Sequence, residues 1–199
     1  MGQVDQFWDN YMWFPKSVGQ ASPVVGETTD QWFQNYKAFE LSSFTFKMNC
    51  DETVAKGKAG KAHFGAFTIK KPIDLASVPL YMFCSQGMIV PTIMLAVRKA
   101  GGDQLLYLQY VFRYNQVTDI SWDGGGGDKR PEETMVFTFK AMGMQYIPQD
   151  PDGRFTQPPK TWSWNTVNQG APNSLDITGI EPAPDPPFLP GTQALSAKK

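Results

Sequence analysis

Between residues 91 and 146 the chain holds three runs rich in branched and aromatic side chains, separated by two glycine-marked breaks. The first run, residues 92–99, is parted from the second, 105–114, by a stretch containing Gly101 and Gly102. A tight primed hairpin turn needs φ > 0, which glycine adopts without steric cost, so Gly101 and Gly102 are read as the structural turn. The second break, residues 124–127, is four consecutive glycines and reads as a longer loop before the third run. The pattern predicts a three-strand antiparallel meander at the centre of the fold.

The rest of the chain must supply that meander with a core. At 199 residues, 41% hydrophobic and 14% aromatic, the chain is long and apolar enough for one domain with appendages. Its net charge of −1 offers no basic surplus to neutralise phosphates, which argues against nucleic acid as a partner. No apolar run approaches the roughly 20 residues of a membrane span, so no membrane insertion is expected. The opening MGQVDQFWDN has neither a basic nor an apolar leader segment, so export is expected to proceed without a cleaved signal peptide. Cys50 and Cys84 make no disulfide framework and are read as free thiols.

Residues 11–14 suggest a first strand, stopped by Pro15, and residues 17–29 read as loop. Residues 39–48 read as a second strand whose apolar phase slips. Phe39 and Leu41 fall on one alternation, and Phe44, Phe46 and Met48 on the other. One extra residue near Ser42 and Ser43, a β-bulge, would bring all five to one face. The slip recurs where Ala62 and Phe64 precede Phe67 and Ile69. It recurs again where Met135, Phe137 and Phe139 precede Met142, Met144 and Tyr146. Matching slips suggest one coordinated bend; the alternative is strands buried on both faces. Residues 74–86 form the one clear helix, with Ser77 as cap, Pro79 in the first turn, Gly87 as a left-handed stop, and Leu80, Met82, Phe83 and Cys84 as apolar surface. Residues 161–167 give a last strand with Trp162 and Trp164 on one face, and the proline-rich residues 179–199 read as a tail. Short extended segments with a single helix indicate an all-β barrel or sandwich.

The stretch VRKAGG, the tyrosine-bearing strand after it, the glycine-rich loop followed by Asp128, Arg130 and Glu133, and the phenylalanine-centred strand together resemble the Hcp proteins, the tube subunits of bacterial type VI secretion systems. Gly26, Glu27 and Thr28, and the helix end with Cys84, Ser85 and Gly87, are similar to family features as well. The likeness is strongest over residues 69–148 and weak before Phe39. It implies an all-β fold: a compact β-barrel, similar to phage tail-tube proteins, with one short flanking α-helix, an extended N-terminal loop and a Pro-rich tail. Residues 1–178 would be the barrel domain and 179–199 the tail.

The resemblance implies a structural subunit rather than an enzyme, with no cofactor and no metal. Copies would close into homohexameric rings that stack into a hollow tube, with secreted effectors in the lumen and other secretion-machine components as partners. The protein would assemble in the bacterial cytoplasm and then leave the cell. The extended loop takes part in ring stacking in that family, and Trp32, Phe33 and Tyr36 stand in the comparable place here. A free-standing extracellular filament built from the same rings is the alternative within the class. A β-sandwich carbohydrate-binding module or glycosidase-like enzyme is the alternative outside it.

Residues that could carry chemistry are few. His63, the only histidine, could be a general base but has no evident triad partners and reads as a polar strand residue. Cys84 sits near a helix C-terminus, where the dipole disfavours a thiolate, and reads as a core thiol. Gly57 to Lys61 lacks Walker spacing and its hydroxyl. The glycine run at 124–127 is a weak echo of a calcium turn and reads as a flexible loop. Asp119, Asp123, Glu132 and Glu133 could supply a hydrolytic carboxylate pair, although acidic residues at strand ends are usually solvated. Trp32, Trp162 and Trp164 could form a sugar-stacking platform, and more often such residues are core or subunit interface.

Overall fold

The computed structural model describes residues 8–15, 24–51, 60–99, 106–124, 130–149 and 157–167. Five strands precede the helix along the chain after the first: β1 Trp8–Trp13, then β2 Phe39–Glu40, β3 Ser43–Thr45, β4 Met48–Cys50, β5 Ala62–Phe64 and β6 Phe67–Pro72. Helix α1, Ser77–Gln86, is followed by β7 Ile89–Lys99, β8 Leu106–Asp123, β9 Glu132–Thr138, β10 Ala141–Tyr146 and β11 Lys160–Asn165. A 3-10 turn, Phe33–Tyr36, lies between β1 and β2. The meander is present as β7, β8 and β9, paired antiparallel in sequence order. Gly101 and Gly102, the tail from 179 and most of the 124–127 glycine run lie outside the described residues. Among the described residues no helix is long and apolar enough to cross a membrane.

The main sheet runs β2-β1-β7-β8-β9-β6-β3, with β10 added beside β8 and β11 beside β10. The ladder is an open path, so the expected closed barrel is not seen as a ring of paired strands. Its two ends, β2 and β3, are consecutive along the chain. The Leu41 amide donates to the Asn10 carbonyl on β1 at 2.9 Å, and the next amide, Ser42, donates to Lys70 on β6 at 2.8 Å. The phase slip between Leu41 and Phe44 therefore marks a change of partner rather than a bulge within one strand. Between β5 and β6 the slip is a true extra residue. Thr45 pairs with Thr68 and Met48 with Phe64, so two intervening residues, 46 and 47, face three, 65 to 67. Met48 does not join the inward face as expected; it is 55% exposed.

The third slip belongs to a bend that crosses three strands. On β8 the buried residues change from Tyr110 and Phe112 to Asn115 and Val117. On β7 they change from Val90 to Ile93, Leu95 and Val97, and along β9 and β10 from Met135 and Phe137 to Met142. Pro91 and Tyr114 both drop out of the ladder between the pairs Val90↔Asn115 and Thr92↔Arg113. Proline has no N–H to give, and Tyr114 lies at φ 53°, in the left-handed region. The Lys140 amide bonds Arg113 O at 3.0 Å, in line with the same corner.

Two cores result. The larger is enclosed by the curved sheet and α1 and includes Met12, Phe39, Phe67, Leu80, Phe112 and Phe137. The smaller lies on the opposite face of β1, β7 and β8 and gathers Tyr11, Trp13, Phe33, Met94, Ala96 and Leu106. Strand β1 thus buries both faces, which explains its three consecutive buried residues, Tyr11, Met12 and Trp13. Gly87 ends α1 as expected, at φ 62°, its amide on Cys84 O and that of Met88 on Phe83 O. Ser77 is not the cap. It is already the first helical residue and is buried, with its hydroxyl turned to a polar cluster under the helix.

Candidate functional site

Residues 24–38 form a hooked loop laid over the smaller core. Its base is a close approach: Gly26 N donates to Lys37 O at 2.8 Å, and a Cβ on Gly26 would stand 2.3 Å from the Ala38 carbonyl oxygen. At its tip, Asp30 works with both carboxylate oxygens. Oδ1 accepts the Trp32 and Phe33 amides at 2.9 and 3.0 Å, which starts the 3-10 turn. Oδ2 accepts the Arg98 Nη2 donor at 2.6 Å. That same nitrogen also donates to Tyr11 Oη at 2.9 Å and reaches Asp9 at 3.3 Å. The guanidinium carbon lies 5.0 and 5.5 Å from the ring centroids of Tyr11 and Phe33, beside the pair, and those two rings stack at 4.0 Å. Burial would raise the Asp30 carboxyl. The Arg98 hydrogen bond and the Phe33 and Trp32 amides outweigh it and hold the carboxyl below its ordinary value. Burial pushes the Tyr11 phenol well above its ordinary value, against the pull of Arg98.

The three aromatic residues singled out in this loop are divided by the fold. Phe33 is 1% exposed and plugs the smaller core, and Tyr36 packs at its rim. Trp32 is 41% exposed at the tip, beside exposed Gln31, Gln34 and Asn35.

A second polar cluster fastens α1. Lys71 and Glu133 face each other across β6 and β9, both with fully buried side chains, and form an ion pair at 2.8 Å. Ser77 Oγ donates to Glu133 at 2.7 Å, Tyr81 Oη donates to its other oxygen at 2.5 Å, and Lys71 also donates to Asp74. Trp122 Nε1 donates to Tyr81 Oη. Burial, with the Glu133 hydrogen bond, raises the Tyr81 phenol. The clasp leaves an exposed apolar stripe along the start of the helix, which gives way to exposed Ser85 and Gln86 at its end. Val78 is 72% exposed and Leu75, one turn before it, 62%; Met82, one turn after, is exposed as well. The ten residues of α1 include no charged side chain. Ile73 and Trp122, near the two ends of the clasp, are exposed too.

The remaining candidates are not brought together. His63 is exposed and pairs with Asp51 at 2.9 Å on the β4–β5 ribbon. Cys84 is half-buried against the main core, and Cys50 is exposed; both are free thiols. Gly60 and Lys61 lie at the β5 end of that ribbon, and residues 57–59 are outside the described chain. Asp119 and Asp123 are exposed on β8. Glu132 and Glu133, being adjacent on a strand, point to opposite faces. Glu132 pairs with Lys70 and accepts from Ser42 at 2.7 Å, and Glu133 is sealed under α1. The solvated reading therefore fails for Glu133. Trp162 and Trp164 stack in parallel on the edge strand β11, and Trp162 stacks on Phe64. Among the described residues no three His, Cys, Asp or Glu side chains converge on a metal position.

Arg98, Asp30 and the outward stripe of α1 were not singled out by sequence reasoning. Arg98 carried a signal only as part of VRKAGG. A stripe at positions 75, 78 and 82 has helical spacing that sequence cannot assign to the inside or the outside.

A sequence profile of the family described as "Type VI secretion system effector, Hcp" matches residues 11–146. The chain is 34% identical over 106 residues to protein hcp1 of Pseudomonas aeruginosa, a match covering 53% of this chain and 65% of that protein, a little under two thirds of the relative. A solved structure described as "Structure of a type six secretion system protein" is 28% identical with a TM-score of 0.72, and the match covers 82% of this chain and 99% of that one. Hcp1 from Salmonella typhimurium, 22% identical, shares the fold with a TM-score of 0.64 over 82% of this chain and 98% of that one.

Proposed function

This chain belongs to the Hcp family of type VI secretion proteins, and on that premise we propose that it is a tube subunit whose copies close into hexameric rings. The rings stack into a hollow tube that carries effectors in its lumen and meets other components of the secretion machine. The protein assembles in the bacterial cytoplasm and leaves the cell with its cargo. Residues 1–178 act as one barrel domain, with 179–199 as a tail. What supports a barrel is that the two ends of the sheet meet at Leu41 and Ser42, whose successive amides bond β1 and β6.

The observation that carries assembly is the exposed apolar stripe along α1. Ser77 and Tyr81 face inward to the Lys71–Glu133 clasp beside the buried Leu80 and Phe83, and Leu75, Val78 and Met82 face water. Surface helices of monomers ordinarily carry charged and polar residues on that outer face. Exposed apolar patches of this kind mark interaction surfaces, and a head-to-tail contact closes into a ring when its rotation closes. In this reading the exposed Trp32 at the loop tip meets the next ring, supported by its exposure alone. A hydrolytic reading has less support, because Glu133 is buried and Glu132 is held by Lys70.

Light scattering of the full chain tests the reading. Particles near about six chain masses of 22.2 kDa, with annular outlines in negative stain, are the expected result. A species of one chain mass at tens of micromolar would overturn it.

A further inference from the structure

We infer that Arg98 is a positioning residue: it holds residues 24–38 shut on the sheet in the free subunit and so pre-forms the turn that carries Trp32. The stacking role of Trp32 rests on the function proposed above; the latch itself does not.

Among the described residues Arg98 hydrogen-bonds one side chain of the loop, Asp30. That carboxylate spends Oδ2 on the guanidinium and Oδ1 on the Trp32 and Phe33 amides. The rigid sheet and the turn backbone are therefore two bonds apart through a single planar group. Arg98 is 3% exposed, and its Nε and Nη1 have no hydrogen-bond partner among the described residues. The stacked rings of Tyr11 and Phe33 lie beside the guanidinium, their centroids 5.0 and 5.5 Å from its carbon. Phe33 belongs to the loop, so closing the loop supplies the nearer of two carboxylates and one of the two rings beside Arg98. Opening it would leave Asp9, at 3.3 Å, as the remaining carboxylate, which biases the loop towards the closed state. All three of the Arg98 hydrogen bonds, to Asp30, Tyr11 and Asp9, run through the one nitrogen Nη2, which a lysine ammonium could also offer, so a neutral chain of similar length, methionine, is the substitution that removes the latch.

The loop otherwise has the marks of a separate unit. It packs on the sheet chiefly through the smaller core, with Val24 at its start in the main one, and its backbone bonds are mostly its own: Gly26 to Lys37, Thr28 to Ala38, Ala38 to Phe33. Such units open independently of the global fold. Pre-forming matters for stacking because a contact made by an ordered turn does not lose ordering entropy when it forms.

Amide hydrogen exchange on the full chain, held as unstacked rings, reads the latch directly. In Arg98→Met, the amides of Gly26, Thr28, Phe33 and Ala38 are expected to exchange about tenfold faster or more, with β7 and β8 as protected as in the parent. Ring mass should not change, and tubes should be shorter. Asp30→Ala leaves β7 untouched and carries the same expectation if Arg98→Met is insoluble. Unchanged protection of residues 24–38 in a folded variant would overturn the inference. So would a uniform rise across β7 and β8, which is the signature of a merely structural role. Trp32→Ala separates the two ideas: normal tubes from that variant, with the loop protected, remove Trp32 from stacking and leave the latch standing.

Discussion

Acidic residues in loops and at strand ends ordinarily stay in water, yet Asp30 and Glu133 each end against a buried cation. For Glu133 the cause is register. Lys71 stands directly across from it on β6, so the pair shares the inward face, and Glu132, one residue earlier, is turned to the other side. Truncating one member of a buried pair leaves the other charge uncompensated. Glu133→Ala is expected to cost about 3–5 kcal/mol in urea unfolding, against about 1 kcal/mol or less for Glu132→Ala. Equal losses would show that the clasp does not hold α1. Asp30 gives a pH signature. Its folded carboxyl titrates below its ordinary value of 3.8. Its contribution is therefore complete above that value and is lost as pH falls below it. Asp30→Asn should flatten the acid limb of the stability profile below about pH 4 and leave the slope near neutrality unchanged. Neither burial was legible in the sequence, because Glu132 and Glu133 are alike until a partner sixty residues away chooses between them.

At the scale of elements, much of the architecture could be read from alternation. The meander, the single helix with its Gly87 stop, and the aromatic edge strand follow from local pattern. The phase slips announced real discontinuities, because a two-residue period cannot change face without a break. What alternation could not say is which kind of break each was. At Leu41 the strand changes neighbours, near Gly65 one residue is extra, and at Tyr114 the backbone enters the left-handed region. The last case makes a prediction. A side chain at φ 53° costs roughly 1–2 kcal/mol of backbone strain, and Tyr114 is half in water, so its packing returns little of it. Tyr114→Gly should hold or raise the melting temperature, and Tyr114→Val, whose branched Cβ suits extended backbone, should lower it. A Val variant as stable as the parent would mean that the bend is set by Pro91 and Lys140 without help from Tyr114. Ser77 shows the opposite limit of local reading. Ser is a good cap, but here its hydroxyl completes a buried network that only the folded sheet creates.

For the whole molecule the question is why a fold with two full cores also leaves apolar side chains in water. The main core already holds Leu80 and Phe83 from α1, so the helix has apolar residues on both sides and none that is charged. Its inward docking does not depend on Val78 or Met82. The Lys71–Glu133–Ser77–Tyr81 clasp and the Leu80 and Phe83 anchors lie on the other side. A charge placed on the outward stripe should therefore cost little in the free subunit, since exposed substitutions away from such networks usually stay within about 0.5 kcal/mol. The same charge buried against a neighbouring copy would lose its hydration without a partner, a penalty of several kcal/mol repeated at every contact around a ring. The double variant Val78→Glu, Met82→Glu is thus expected to keep the unfolding midpoint and circular dichroism of the parent subunit and to run at one chain mass, with no rings. If it assembles as the parent does, the stripe faces solvent in the assembly and the ring contact lies elsewhere on the molecule. If the midpoint falls sharply, the stripe belongs to the subunit's own packing and is not kept for assembly.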